Sequence, residues 1–298
     1  MKKIMMFSLM LTLAIALQAQ VKVAPKMKKG TVKTYVAEAT ITLPGQGDVK
    51  VTAESKYTIT DATADGFVLE LVSTDVKTDC EPGNIAGKMM AAAEEMMEGA
   101  VVRAAIDKEG RVQNILNGDE VKARIDKQAD AFIDKLMEDM PQLAQVVSKD
   151  GLKKQVATSL TVNALVETLQ AATSPLALNG KTITTGSQEE FVSKEGMKMK
   201  RLYFVKGKTI ITNSVMNMTE DEMKQTIIKQ VEQSAPNQAQ MIKDNIDQLM
   251  STGMLKMDHK ETATYELNDE GWVKSIVVDS TTETMGQQVV TKSVTTLK

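Results

Sequence analysis

Hydrophobic and polar residues alternate along three early segments of the chain, and short polar turns separate these segments. The alternation covers residues 31–43 and 49–60, and it resumes at Phe67, Leu69 and Leu71. A period of two residues places successive side chains on opposite faces of a β-strand. The first part of the chain therefore predicts a three-stranded antiparallel meander.

From residue 84 the apolar period lengthens to three or four residues, the period of an amphipathic helix. Asn84 is a suitable N-cap, and the helix it begins has apolar positions at Ile85, Met89, Ala93, Met96 and Ala100. A hairpin over 100–116 follows. A second helix, which Pro141 is expected to kink or restart, is predicted from the stripe Val121, Ile125, Phe132, Leu136, Met140 and Leu143. A third helix is predicted from Leu152, Val156, Leu160 and Leu169.

The second part of the chain returns to strands, predicted over 181–193, 197–205 and 209–218. The segment Thr219-Glu220-Asp221-Glu222 has the pattern of a capping box and predicts a helix that restarts at Pro236. Three last strands are predicted over 254–267, 272–283 and 287–297. About eleven strands thus occur in runs rather than alternating with helices, which indicates an α+β fold. We expect a curled antiparallel sheet, a half-barrel, with amphipathic helices on one face.

One turn pattern occurs twice. Residues 106–115 and 267–276 share an apolar residue, Asp or Asn, a Glu-Gly pair, Val and Ile at matching positions. Three predicted strands and a Met-rich helix precede each copy. Two interpretations remain open at this point. Either the chain contains two pseudo-equivalent halves, about 30–150 and 178–298, or Glu-Gly turns recur by chance in antiparallel sheets.

The N-terminus has the pattern of a cleavable signal peptide. Lys2 and Lys3 precede an uncharged apolar run over 4–17, and Ala19 supplies the small residue before the predicted cut. The run is shorter than the roughly 20 residues that a transmembrane helix needs. We therefore expect a signal peptide over 1–19 and a single periplasmic or secreted domain over 20–298. No transmembrane anchor is expected, and the only Cys, Cys80, is too distant to carry a lipoprotein anchor.

The leader end Leu17-Gln18-Ala19-Gln20, the Lys-rich segment after it and the long polar strands resemble uncharacterised exported proteins of Bacteroidota. The strand count and the order of strands and helices are also similar to the lipoprotein-carrier family, in which a half-barrel holds acyl chains against helices. This second resemblance is one of layout over most of the mature chain. It implies binding of an apolar ligand, but no motif matches residue by residue, so no site is transferred.

Charge and residue usage argue against several classes of function. The formal net charge is −3, and the one dense run of Lys, in 22–33, is predicted to be a solvated arm, so nucleic-acid binding is not indicated. With one His and one Cys, the chain has no internal disulfide, no His-rich zinc site and no four-Cys site. His259 has no evident nucleophile partner. We expect no enzymatic activity, no metal and no cofactor.

Methionine is unusually common, with 21 residues in the chain, and several of them lie on the predicted helices. Core filling in place of scarce aromatics, a flexible apolar binding surface and Cu(I) ligation all use this residue. The leading hypothesis is non-enzymatic binding of an apolar ligand or lipid between sheet and helices, in a groove lined by Met89, Met96, Met97, Met223 and Ile227. The alternative is an interaction or structural module that binds another envelope protein.

Overall fold

The computed structural model describes residues 19–81, 83–139, 149, 161–193, 196–234, 236–252, 255, 257–284 and 286–298. Within these residues it contains an eleven-stranded antiparallel sheet, a separate two-stranded sheet and five helices. The large sheet curls without closing into a barrel, because its edge strands have no partner on their outer sides. The predicted fold class is confirmed.

The first half of the chain contributes six strands and two of the helices. The strands are β1 (Gln20–Lys22), β2 (Val32–Leu43), β3 (Gly47–Ala62), β4 (Gly66–Cys80), β5 (Val101–Asp107) and β6 (Val112–Ile115). The helices are α1 (Ile85–Met97), between β4 and β5, and α2 (Gly118–Asp139), after β6. Of the positions used to predict the helices, Met140, Pro141, Leu143, Leu152, Val156 and Leu160 lie outside the described residues, as does the leader over 1–18.

The second half begins with α3 (Val162–Gln170) and ends in three long strands. Its elements are β7 (Thr182–Thr184), β8 (Gln188–Val192), β9 (Lys198–Lys206), β10 (Thr209–Met216), α4 (Glu220–Ser234), α5 (Pro236–Ser251), β11 (Met257–Leu267), β12 (Val273–Thr284) and β13 (Gln287–Leu297). The single strand predicted over 181–193 is wrong, because the chain turns at Gly186, where φ is 84°. On either side of this turn, β7 pairs with β1 and β8 pairs with β9.

The capping box predicted before α4 is confirmed. The Thr219 backbone N–H donates to Glu222 Oε2 over 2.9 Å, and the Glu222 N–H donates to Thr219 Oγ1 over 3.3 Å. These two bonds satisfy backbone donors that a helix N-terminus leaves unpaired. After the restart at Pro236, α4 and α5 pack on each other around a small apolar cluster of Ile227, Ile246 and Leu255.

The strand order in the large sheet is β6-β5-β4-β3-β2-β13-β12-β11-β10-β9-β8. The chain therefore starts in the middle, proceeds outward to the β6 edge, crosses to the β8 edge and returns to the middle. Its first and last long strands pair there, with Tyr35 opposite Leu297. The register also shows that α1 and the α4–α5 pair leave the sheet at one end, the end of the β2–β3 and β12–β13 turns.

Helices α1, α2 and α3 and the loop over 171–180 lie on one face of the sheet, here called the inner face, which carries Tyr35, Ile59 and Tyr265. Under β2–β6, this face packs against α2 through Ile125 and against α3 through Leu169. Under β9–β12, it packs against the loop residues Ala172, Ala177 and Leu178. The opposite, outer face leaves large apolar side chains exposed, among them Val32, Val277 and Val294.

The Lys-rich stretch 22–33 is not a solvated arm, which corrects the prediction from sequence. Its backbone lies between the two matching Glu-Gly turns, at the end of the sheet opposite α1. The Lys26 N–H donates to Glu270 O over 2.8 Å, and the Trp272 indole N–H donates to Lys26 O over 3.1 Å. Both turn glycines have positive φ and face this stretch so closely that a Cβ on Gly271 would lie 2.8 Å from Ala24 O.

Three of the five lysines in this stretch also form ion pairs. Lys22 contacts Glu109 of the first Glu-Gly turn, and Lys33 contacts Glu270 of the second, with N–O distances of 3.1 and 2.6 Å. A third pair joins Lys29 and Asp61. The acidic partners lie far away in the sequence, so the residues around the Lys run could not predict these ion pairs.

Candidate functional site

Small apolar side chains occupy the inner face of the two strands β2 and β3. Ala37 lies opposite Ala53, and Ala39 lies opposite Val51, so the four residues form one continuous surface, here called the small-residue patch. All four are half-buried, whereas Tyr35, one inner-face position further along β2, is 1% exposed. Within the part of the chain that the structure describes, the cover over the inner face is therefore incomplete at the patch.

Helix α1 closes the patch on the side of β3 and β4. A Cβ added to Gly87 would lie 2.7 Å from Cys80 Sγ and 3.0 Å from Val49 Cγ2, so the helix backbone rests directly on these strands. Val49 is fully buried as a result. Cys80 is a half-buried free thiol under this helix.

In the other direction, the inner face changes from apolar to polar and then to charged. One row of side chains crosses nine strands in register, and it consists of Cys80, Val49, Ile41, Thr291, Ser280, Glu261, Ser214, Arg201 and Glu189. The row passes beside the small-residue patch at Ile41 and Val49. It ends in a group of ionised side chains on β8–β11.

Arg201 is the centre of this charged group. Its Nε donates to Ser214 Oγ over 2.9 Å, and its guanidinium lies 4.4 Å from the centre of the Phe191 ring. Its terminal nitrogens lie 3.6 Å from Glu261 Oε1 and 3.9 Å from Glu189 Oε2. These ion-pair distances exceed a hydrogen bond, so the terminal nitrogens retain donor capacity.

Glu189 links Arg201 to two further groups. Lys181 Nζ donates to both Glu189 oxygens over 2.8 Å, and the Tyr203 hydroxyl donates to the same carboxylate. Burial alone would raise the pKa of Glu189, but the hydrogen bonds from Lys181 and Tyr203 outweigh it and hold this pKa below its usual range. Lys181, Arg201, Glu189 and Glu261, here called the ionic cluster, together have no net charge.

A buried hydroxyl lies next to the ionic cluster. Thr212 follows Ile210 and precedes Ser214 on the inner side of β10, between Tyr203 and Ala263 on the neighbouring strands. The residue is 0% exposed, and its Oγ1 has no hydrogen-bond partner in the part of the chain that the structure describes. A buried hydroxyl without a partner costs free energy.

The five residues predicted to line a groove fall into separate environments. Met89 is half-buried and Met96 is buried on α1, and Met97 packs against the core cluster that contains Tyr35. Met223 and Ile227 belong instead to the α4–α5 cluster. The small-residue patch and the ionic cluster were not predicted. The only sequence signal for the patch is the spacing of two residues between Ala37 and Ala39, which shows a shared face but not what covers it.

His259 lies on the inner face near the ionic cluster. It is half-buried, and its Nδ1 is 2.8 Å from Thr282 Oγ1 on the paired strand. Within the described ranges, His, Cys, Asp and Glu side chains do not gather in groups of three or more that could hold a metal ion. None of the helices in those ranges is long and apolar enough to cross a membrane.

Comparison with known proteins gives similarity to solved structures alone. No family model and no curated protein sequence matches the chain. Among solved structures, the chain is similar to one described as lipid–protein interactions in lipovitellin, with a TM-score of 0.40 and 10% sequence identity. The match covers 91% of this chain and 25% of that one, so this chain spans a quarter of the lipovitellin structure. A likeness at this level transfers no function.

Proposed function

We propose that this protein binds an apolar ligand, such as a lipid, on the inner face of its sheet and catalyses no reaction. The observation that carries the proposal is the half-buried small-residue patch, which lies beside fully covered inner-face positions such as Tyr35 and Val49. Ligand sites are concave and mostly apolar, with a few placed polar groups. Small side chains on a curled sheet leave volume, and the polar row beside them supplies such groups.

We propose no catalytic role because His259 and the ionised groups on the inner face already have partners. His259 contacts the hydroxyl of Thr282, and the ionised side chains near it neutralise one another. Hydrolytic chemistry requires a nucleophile next to a base and a donor for the oxyanion. The contacts of His259 and of the ionic cluster do not form such an arrangement. We also propose that the signal peptide over 1–19 directs the protein to the periplasm or to the outside of the cell.

A second candidate function, binding of another envelope protein, is favoured by the outer face. Phe204, Ile211, Thr264, Val277 and Val294 form one row across five paired strands. Phe204, Val277 and Val294 are 39%, 42% and 43% exposed. An exposed apolar row of this kind is typical of an interaction surface, and it lies on the side of the sheet opposite the small-residue patch.

Fluorescence of N-phenylnaphthylamine, an uncharged apolar dye, tests the leading function on delipidated protein. Binding of the dye to the wild type is expected to be saturable, and Ala39→Phe is expected to abolish it because the phenyl ring fills the volume over the patch. Thr40→Phe is the matched control, since Thr40 is adjacent on β2 and faces the outer side. Saturable binding that Ala39→Phe leaves intact, or no binding to the wild type, would contradict the proposal.

A further inference from the structure

We infer that the ligand is a single-chain amphiphile with an uncharged, hydroxyl-bearing head group, such as a monoacylglycerol, and that it lies across the strands. The head group binds at the ionic cluster on β8–β11, and the hydrocarbon chain extends over the small-residue patch on β2 and β3. This inference rests on the proposed apolar-ligand site and specifies its substrate class and orientation.

The direction of the ligand follows from the change of polarity along one face. Glu261 on β11 and Val49 on β3 belong to the same row, with Ser280, Thr291 and Ile41 between them. Four strand-to-strand steps of about 4.8 Å separate the two ends, or about 19 Å in total. This span suits a long acyl chain. The half-buried hydroxyls of Ser280 and Thr291 lie one and two strands from Glu261, between the ionic cluster and the small-residue patch.

The chemistry of the head group follows from the balance of charges. The ionic cluster holds two cations and two anions, and its side chains are 14–35% exposed, so a ligand can reach it while water is largely excluded. Among the described residues, the terminal nitrogens of Arg201 retain donor capacity, and the hydrogen bond that Glu261 accepts from Ser214 Oγ is long, at 3.3 Å. Hydroxyl groups both donate and accept hydrogen bonds, so one head group can pair with the donor Arg201 and with the acceptor Glu261.

An ionised head group fits this cluster less well. A carboxylate or an ammonium would add one uncompensated charge to a neutral, partly desolvated group of side chains, and such a charge is costly to bury. The neutral head also leaves the ion pairs of Lys181 with Glu189 and of Arg201 with Glu261 intact. The site therefore selects against amphiphiles of either charge that have the same chain.

The inference is tested on the wild type by displacement of N-phenylnaphthylamine at neutral pH. The competitors are a long-chain monoacylglycerol and the fatty acid and alkylamine of the same chain length. The monoacylglycerol is expected to displace the dye at a concentration at least tenfold lower than either ion. Equal potency of the three, or tighter binding of an ionised competitor, would overturn the inference while leaving the apolar site standing. Failure of the dye itself to bind would instead refute the proposed function.

A pair of variants locates the head group. Arg201→Gln is expected to weaken displacement by the monoacylglycerol about tenfold, after correction for the dye affinity measured on the same variant. Arg103→Gln is the matched control, since Arg103 pairs with Glu70 on the outer face over 3.5 Å. Should Arg201→Gln not fold, Arg201→Lys keeps the charge but loses the planar fork, and a smaller loss of the same sign is expected. If the monoacylglycerol displaces the dye from a folded Arg201 variant as readily as from the wild type, the head group binds elsewhere and the inference is overturned.

Discussion

The buried hydroxyl of Thr212 provides a direct test of the packing beside the ionic cluster. Thr212→Val replaces this hydroxyl by a methyl group of similar size and leaves the β-strand propensity nearly unchanged. Because Oγ1 has no partner within the described residues, the substitution removes a desolvation cost without breaking a hydrogen bond. We expect the variant to be more stable than the wild type, which is rare for a substitution at a fully buried position.

The magnitude follows from the cost of an unsatisfied buried polar group, about 1–3 kcal/mol. The new methyl group contributes further because it lies among Ile210, Tyr203 and Ala263, which are all buried. In a domain of this size, each kcal/mol raises Tm by about 2–4 °C. The expected gain is therefore within the resolution of ordinary unfolding experiments.

Urea unfolding followed by circular dichroism measures the effect, with thermal unfolding as a second assay. The denaturant slope should stay constant while the midpoint rises. Thr264→Val is the matched control, because Thr264 lies on the adjacent strand β11 but on the outer face; its effect should stay within about 0.5 kcal/mol. Equal or lower stability of Thr212→Val would show that its hydroxyl has a partner, and the argument would then be wrong.

Two other predictions concern the turn glycines and the ionic cluster. Gly271→Ala is expected to destabilise the protein by more than Gly196→Ala, because both have φ near 80° but only a Cβ at Gly271 would clash, at 2.8 Å from Ala24 O; urea midpoints that do not differ would contradict this. Glu189→Gln should lower stability at pH 7, since the pKa of Glu189 is depressed in the folded state by Lys181 and Tyr203. The contribution of an ionised group of this kind is present above its unfolded pKa of about 4.3 and is lost as the pH falls through the folded value. The gap between wild type and Glu189→Gln should therefore narrow below about pH 4.3, and a gap that widens in acid would refute the assignment.

Local periodicity was sufficient to predict much of the fold. The alternation over 287–297 coincides with β13, and the capping box correctly located the start of α4. The pairing of β2 with β13 could not be predicted from the sequence, because it joins opposite ends of the chain and no local pattern encodes it. The break between β7 and β8 was missed for a related reason, because the two strands turn to different partners.

The candidate site depends even more on long-range structure. Ala37 and Ala53 are weak strand formers by themselves, and their significance appears only when the register places them side by side on one face. The methionines gave a clear helical period, but a period does not specify which helix packs on which surface. Met97 and Met223 consequently belong to different clusters. The acidic partners of the Lys run are equally remote, as the pair of Lys33 with Glu270 shows.

The central pairing of β2 with β13 has a consequence for how the chain reaches its native state. A chain that emerges N-terminus first can form the β2–β4 hairpins early, but β2 lacks its second neighbour until β13 has also emerged. Contacts between such distant residues make folding slow. Until then the edge of β2 that will pair with β13 exposes unpaired backbone groups. Such an edge is a template for association with other chains. A partly made or truncated molecule should therefore depend on chaperones to a degree that the finished sheet does not.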